Sequence, residues 1–149
     1  MPLFQTPAFA MYALFAVALC VLLVLIDSAG GGFRARSKTT PNAEDVRSVS
    51  KGAALAPTDP DQVARVMRAH RNALAYVVPF LVVMFLYVAL GASTTWVLGL
   101  CGVFTAMRVT HAIVYINGLQ PWRTLSFVVG QTCTGIAVVQ VVRAAVGLL

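Results

Sequence analysis

The residues best suited to bind a charged ligand are three arginines in the stretch DPDQVARVMRAHRNALAYVVPF, which covers residues 59–80. In a helix, spacings of three, four and three residues would place four polar or small residues near one face. They are Arg65, Arg68, Asn72 and Ala75. Guanidinium groups bind carboxylates through paired hydrogen bonds, so this face could hold an anionic ligand. The alternative is that these arginines only mark the cytoplasmic end of a membrane helix.

A second polar stripe lies further along the chain, where Arg108, His111 and Tyr115 follow each other at spacings of three and four. An ionisable side chain at the centre of a membrane helix costs about 2.5–3.5 kcal/mol, so such residues normally face protein or water. The stripe therefore indicates a site between helices. The alternatives are that Arg108 extends to the membrane interface and that His111 is a hydrogen-bonded residue between helices.

The composition is that of a membrane protein. Of the 149 residues, 59% are hydrophobic and 11% are charged, whereas soluble domains average about 25% charged residues. One domain covering residues 1–149 is expected. The net charge of +6 comes mostly from residues 34–71. Because this basic region lies between two apolar segments, membrane lipids are a predicted partner and nucleic acid is not.

Four apolar segments predict an all-α integral membrane protein, a bundle of four transmembrane helices. They lie at about residues 8–27, 62–92, 95–116 and 122–148. A cleavable signal peptide is the alternative for the first segment, but no Lys or Arg precedes it and its apolar run exceeds the usual ~7–15 residues. The very short turn between the second and third segments predicts that they are antiparallel neighbours.

The segment between the first two spans, at about residues 28–60, is predicted to be a polar cytoplasmic loop. The first helix is expected to end at Asp27, because Gly30–Gly32 break the helical pattern. The loop is longer than most connections in a helix bundle, so it is either disordered or functional. Asp59 is suited to cap the second helix, with Pro60 at the first helical position.

The distribution of charge predicts the orientation. The first loop carries five basic residues outside the second helix, whereas the turn between the second and third spans carries no charge. Because basic loops stay in the cytoplasm, the first loop and the turn at 116–124 are expected there. Both termini are then on the opposite side, and the candidate binding residues lie toward the cytoplasm.

Four stretches resemble, in order, the MAPEG family, the membrane-associated proteins of eicosanoid and glutathione metabolism. RVMRAHRNALAYVVPF at 65–80 resembles the family signature, and RVTHAIVY at 108–115 resembles its third helix. QPWRTLSFVVG at 120–130 is similar to the fourth helix of the family's glutathione transferases. PNAED at 41–45 is similar to a family loop written Asn-Pro-Glu-Asp, with Ala43 in place of the proline.

The resemblance implies a homotrimer of four-helix protomers, with glutathione bound between adjacent subunits on the cytoplasmic side. It implies a membrane-bound transferase or peroxidase that adds glutathione to lipophilic electrophiles from the bilayer or reduces lipid hydroperoxides. The positions that match glutathione-contacting residues of the family are Arg34, Arg68, Arg71, Asn72, Arg108, His111, Tyr115 and Arg123. No metal site is expected.

Arg123 and Thr124 match the family's pair near the thiol, and the chemistry of these residues supports a catalytic role. A free thiol has a pKa of ~8.5, and nearby cations lower it. Arg123 lies at the predicted start of the fourth helix, where the helix dipole also favours a thiolate. A hydroxyl group from Thr124 or Ser126 would assist, and the residue types leave the choice between them open.

The chain departs from the family pattern at several positions. The family's second helix often carries Asp and Glu where this chain has Ala73 and Ala75, and the Glu is a binding residue. Ala64 replaces another common acidic residue. Phe127 stands where the prostaglandin synthase has tyrosine, which favours the general transferase branch.

These departures leave a second class of function open, a non-catalytic member of the family that binds lipids or partner proteins. A four-helix transporter is the third class. A proton-coupled transporter would be expected to need a carboxylate within a membrane span, and no such residue occurs between Ala8 and Ile26 or after Asp61.

Overall fold

Four long helices account for most of the chain in the computed structural model, which describes residues 3–149. The elements in order are a 3-10 turn at Leu3–Gln5, α1 (Pro7–Ser37), β1 (Thr39–Thr40), α2 (Ala43–Arg47), β2 (Ala54–Leu55), α3 (Asp61–Ala89), α4 (Thr94–Ile116) and α5 (Trp122–Val146). The long helices α1, α3, α4 and α5 are each long and apolar enough to cross a membrane. The prediction of four apolar helices is confirmed, and α3, α4 and α5 nearly coincide with the predicted spans.

The prediction that the first helix ends at Asp27 is wrong, because α1 continues through Gly30–Gly32 to Ser37. The helix ends where Lys38 adopts a left-handed conformation with φ 51°. Gly30 packs against α3, and a β-carbon there would lie 2.9 Å from Sδ of Met67. Glycine thus lets the two helices approach closely, and their contact outweighs the ~1 kcal/mol that a glycine costs inside a helix.

The loop between α1 and α3 is folded. β1 and β2 form a parallel pair in which the Ala54 amide donates to the Lys38 carbonyl at 2.9 Å and the Ala56 amide donates to the Thr40 carbonyl at 2.9 Å. The Asp45 carboxylate accepts hydrogen bonds from Thr40 at 3.2 Å and from Asn42 at 3.0 Å, which ties α2 to β1. This ordered loop fixes the end of α1 relative to the start of α3.

The predicted cap of the second span is wrong by one residue. Helix α3 begins at Asp61, Pro60 occupies the cap position, and no side chain there makes a capping hydrogen bond. The Asp59 carboxylate binds Arg34 instead. The extension of α1 brings Arg34 to this place, and a bidentate bond to a guanidinium is stronger than a bond to a backbone amide.

The core lies between α1, α3, α4 and α5. Phe80 of α3 stacks on Phe104 of α4 with ring centroids 3.6 Å apart, which confirms that these helices are neighbours. A second cluster, built largely from small side chains, holds the helices together at the other end of the bundle and consists of Ile26, Val66, Ala69, Ala73 and Ala112. On the outside of α1, the large apolar side chains of Leu14, Val17 and Val24 are exposed, as expected of a helix that faces lipid.

Candidate functional site

Two recesses at one end of the bundle collect most of the predicted site residues. This end contains the last turns of α1 and α4 and the first turns of α3 and α5. The α1–α3 depression has a volume of about 420 Å³ and is lined by Arg34, Thr58, Asp59, Ala64, Met67, Arg68 and Arg71. The α4–α5 pocket has a volume of about 200 Å³ and is lined by Asn72, His111, Tyr115, Arg123, Thr124 and Phe127.

The α1–α3 depression is rich in arginine, and one carboxylate lies within it. Arg34 donates to Asp59 through Nε at 3.1 Å and through Nη2 at 2.9 Å, with both side chains partly exposed. Among residues 3–149, neither Arg68 nor Arg71 lies within ion-pair distance of a carboxylate. The depression therefore has an excess of positive charge and is suited to an anionic group such as a carboxylate.

The α4–α5 pocket is built around the guanidinium of Arg123. This group lies over the ring of Tyr115, with Cζ 4.9 Å from the ring centroid. With the Gln120 amide turned so that its oxygen faces Arg123, that oxygen accepts from Nη2 at 2.7 Å and from Nε at 3.1 Å. The Gln120 nitrogen then donates to Oγ1 of Thr124 at 3.2 Å. The cation and the hydroxyl group are thus oriented together.

His111 and Ser126 close the back of this pocket. His111 is 4% exposed, and its Nδ1 lies 3.0 Å from the Arg123 carbonyl oxygen, to which it donates when that nitrogen carries the proton. Ser126 is 3% exposed and donates to the carbonyl oxygens of Trp122 at 2.8 Å and Arg123 at 3.1 Å. The hydroxyl group of Ser126 is therefore used by backbone carbonyls of its own helix, whereas Thr124 lines the pocket.

Arg108 lies beneath the pocket and does not line it. Only 2% of this residue is exposed, and it donates to Gln131 at 3.0 Å and to Asn72 at 3.5 Å. Its guanidinium also lies within 6 Å of the ring centroids of Tyr76, Phe104 and Phe127, at 5.0, 5.2 and 5.8 Å. Because the Asn72 oxygen faces Arg108, the amide nitrogen of Asn72 is the group available to the pocket.

The structure thus brings most of the predicted site residues to the two recesses and places Arg108 and Ser126 behind them. Sequence reasoning missed two further residues. Asp59 was expected to cap a helix, and its pairing with Arg34 follows from the unforeseen length of α1. Gln120 could have been found from its spacing, because it lies three residues before Arg123 and four before Thr124.

Comparison with known proteins finds one family and several related enzymes. The model of the MAPEG family matches residues 12–143. Microsomal glutathione S-transferase 1 of Homo sapiens is 34% identical over 130 residues, which cover 85% of this chain and 83% of the human protein. The same enzyme of Rattus norvegicus is 35% identical over 131 residues, covering 85% and 82%. Prostaglandin E synthase of Homo sapiens is 32% identical over 130 residues, covering 85% and 83%.

Proposed function

The chain belongs to the MAPEG family of multi-pass membrane proteins, and from this premise we propose that it is a membrane-bound glutathione transferase or peroxidase. It joins the thiolate of glutathione to lipophilic electrophiles or uses it to reduce lipid hydroperoxides. The observation that carries this proposal is the α4–α5 pocket, where a guanidinium and a hydroxyl group are oriented together. Among residues 3–149, no carboxylate lines this pocket to cancel the charge of Arg123.

Glutathione is bound by its carboxylates and activated at its thiol. Arg34, Arg68 and Arg71 of the α1–α3 depression are suited to the carboxylates, because guanidinium groups form paired hydrogen bonds with them. Arg123 lies in the first turn of α5, so its charge and the helix dipole both lower the pKa of a nearby thiol from its usual ~8.5. Thr124 accepts from Gln120 and therefore keeps its hydroxyl proton for the sulfur.

The chemistry that follows uses the thiolate as a nucleophile. With an aryl or alkyl halide, a sulfur–carbon bond forms and the halide leaves. With a lipid hydroperoxide, the sulfur attacks the terminal oxygen, the oxygen–oxygen bond breaks, and the alkoxide takes up a proton to give the alcohol. The resulting sulfenic acid condenses with a second glutathione, which releases water and gives the disulfide. Neither path requires a protein general base once the thiolate is bound.

The proposal includes a homotrimer that completes the site between adjacent subunits. The two recesses lie on neighbouring faces of α3, one against α1 and the other against α4 and α5, and both are open in the isolated protomer. Polar side chains on membrane helices normally face protein or water, so a neighbouring subunit would cover this side. Mass measurement in detergent should give a trimer, and a monomer at every concentration would exclude the intersubunit site.

The proposed site faces the cytoplasm, with both termini on the other side of the membrane. Support comes from the charge distribution, because the recesses lie at the end of the bundle that carries the basic loop. Glutathione would then enter from the cytoplasm. The lipophilic substrate would arrive through the bilayer between the helices.

A non-catalytic binding protein is the second candidate, and the missing acidic residues favour it. Ala73 is buried against α1 and α4, and Ala75 is exposed. Neither alanine can pair with the ammonium group of glutathione, and among residues 3–149 no carboxylate lines the α4–α5 pocket. A member of the family that has lost catalysis would still bind an anionic lipid through its arginines.

One experiment separates the two candidates. The protein purified in detergent is titrated with glutathione by calorimetry and then assayed with an aryl halide and with a lipid hydroperoxide. Saturable binding with turnover of either substrate supports the transferase or peroxidase. Saturable binding without turnover, or no binding, would contradict it and favour the non-catalytic candidate.

A further inference from the structure

Gln120 holds Arg123 by one edge and leaves the other edge free. The Gln120 oxygen accepts from Nε and Nη2 of Arg123, at 3.1 and 2.7 Å. A guanidinium has five N–H groups, so both N–H groups of Nη1 and one of Nη2 remain available. The ring of Tyr115 covers one face of the guanidinium. The free edge is therefore the part of Arg123 that can meet a sulfur or carboxylate anion in the pocket.

The amide of Gln120 also orients the hydroxyl group of Thr124. The Gln120 nitrogen donates to Oγ1 of Thr124 at 3.2 Å, which makes that oxygen an acceptor in this contact. The hydroxyl proton of Thr124 is then free to point toward the anion that Arg123 attracts. Gln120 precedes α5 and reaches forward over its first turn. A single side chain thus orients both groups that would contact the thiolate.

The chemical nature of the Gln120 side chain matters as much as its position. Arg34 is held through the same two nitrogens, Nε and Nη2, but its partner is the carboxylate of Asp59. A carboxylate cancels the charge of the guanidinium that it holds, whereas a neutral amide fixes the geometry and leaves the charge in place. Charge is what lowers the pKa of a neighbouring thiol, so an amide is the suitable partner beside a thiolate.

We infer that Gln120 is a positioning residue for the thiolate, which orients Arg123 and Thr124 and, because it is uncharged, preserves the positive charge of Arg123. This inference rests on the proposed function, since it assigns a role within the same site. Gln120 itself need not touch glutathione. Its influence is expected on the fraction of bound glutathione that is thiolate and hence on turnover, and much less on the affinity for glutathione.

The test compares Gln120→Glu with Gln120→Ala. In the Glu variant the bidentate contact with Arg123 persists, but the charge is cancelled and the donor to Thr124 is lost. The absorbance of the thiolate of bound glutathione, followed against pH, should shift upward by about one pH unit in Gln120→Glu, with a smaller upward shift in Gln120→Ala. Turnover near neutral pH should fall with the thiolate fraction, while the dissociation constant for glutathione changes less than about threefold.

A merely structural role predicts the opposite order, because Glu would hold Arg123 at least as firmly as Gln and Ala would not hold it. Gln62→Glu is the matched control, since Gln62 is exposed in the first turn of α3 at the same end of the bundle and lines neither recess. It should titrate like the wild type. A wild-type titration in Gln120→Glu, or a shift of equal size in Gln62→Glu, would overturn the inference.

A measurement without glutathione separates this inference from the proposed function. Phenylglyoxal modifies accessible arginines, and peptide mass spectrometry locates the modified residue. The rate at Arg123 should rise in Gln120→Ala and fall in Gln120→Glu, because the contact shields one edge of the guanidinium. Equal rates of Arg123 modification in the wild type and both variants would show that Gln120 does not contact Arg123, and the inference would be wrong. If Arg123 is modified at the expected rates but glutathione forms no thiolate on the wild-type protein, the contact is correct and the proposed function is wrong.

Discussion

Arg34 and Arg123 lie at the same end of the bundle. Each donates hydrogen bonds through its own Nε and Nη2, but the groups that accept them differ in charge. Asp59 is a carboxylate and Gln120 is an amide. The α1–α3 depression contains a partly neutralised set of arginines, which is sufficient for recognising carboxylates. Arg123 in the α4–α5 pocket and Arg108 beneath it are held by side-chain amides and aromatic rings. Under the proposed function, the α1–α3 depression would bind the ligand and the α4–α5 pocket would supply the positive potential for the reaction.

Arg108 extends this comparison to the interior of the protein. Its buried guanidinium is held by Gln131, Asn72 and three aromatic rings, and among residues 3–149 no carboxylate pairs with it. A buried cation normally needs compensation, because removing a charge from water is costly. A thiolate or carboxylate bound in the overlying pocket would supply part of it. Arg108 is thus expected to act through Asn72 and through its field, without direct contact with the ligand.

The largest effect is expected from Arg123→Leu, which removes the cation of the α4–α5 pocket. Turnover should fall by about 100-fold or more, as is usual when a preorganised charge beside the reacting atom is lost. Affinity for glutathione should stay within a few fold, because the proposal assigns the carboxylates of glutathione to the α1–α3 depression. The measurement is thiolate absorbance against pH with glutathione bound. If the bound thiol titrates identically in wild type and Arg123→Leu, then Arg123 is not the activating group.

Removing an arginine from the α1–α3 depression should have the converse effect, a loss of binding. Arg34→Ala and Arg71→Ala should each weaken glutathione binding by about 1.5–3 kcal/mol if they contact a carboxylate. Arg34→Ala should be the more severe, because it leaves the negative charge of Asp59 unpaired beside the ligand. Calorimetry measures both variants. Arg143→Ala, at the far end of α5, is the control, and equal losses in all three variants would mean that only bulk charge matters.

The long helices follow from sequence alone, because apolar length and short turns fix α3, α4 and α5. The end of α1 does not follow, since a local rule about glycine predicts a break at Gly30–Gly32. In the structure Gly30 packs closely against Met67, and α1 continues through the three glycines. The consequence reaches the site, because the extra turns of α1 bring Arg34 to Asp59.

The site residues were predictable to the extent that helical spacing decides which side chains share a face. Spacing placed Arg108 and His111 on one stripe, but it carries no information on depth, and Arg108 is buried beneath the pocket. Spacing also left Thr124 and Ser126 as equal candidates. Their separation depends on which way each hydroxyl group points, and that is decided by the packing of α5 against α4.

A smaller effect is expected from the hydroxyl groups, and two variants separate them. Thr124→Ala should raise the pKa of the bound thiol by about one unit, since it removes a donor to the sulfur. Ser126→Ala should leave that pKa unchanged, because Ser126 is buried and donates to backbone carbonyls. Activity below the thiol pKa depends on the thiolate fraction, so the pH profile of Thr124→Ala should move to higher pH. A raised pKa of the bound thiol in Ser126→Ala alone would show that Ser126, and not Thr124, donates to the sulfur.

The smallest effect is expected from Asp59→Asn, the mirror image of Gln120→Glu. Asparagine can still accept from Arg34, so the hold on the guanidinium is largely kept while the negative charge is removed. Partly exposed ion pairs contribute only about 0.2–1 kcal/mol, and the freed charge of Arg34 should tighten glutathione binding by about two- to threefold. The pKa of the bound thiol should not change, because Asp59 lines the other recess. Calorimetry and the thiolate titration measure the two quantities on the same sample. Weaker binding in Asp59→Asn would mean that the carboxylate contributes to the site directly, for instance by pairing with the ammonium group of glutathione, and the division between a binding recess and a reacting recess would then have to be redrawn.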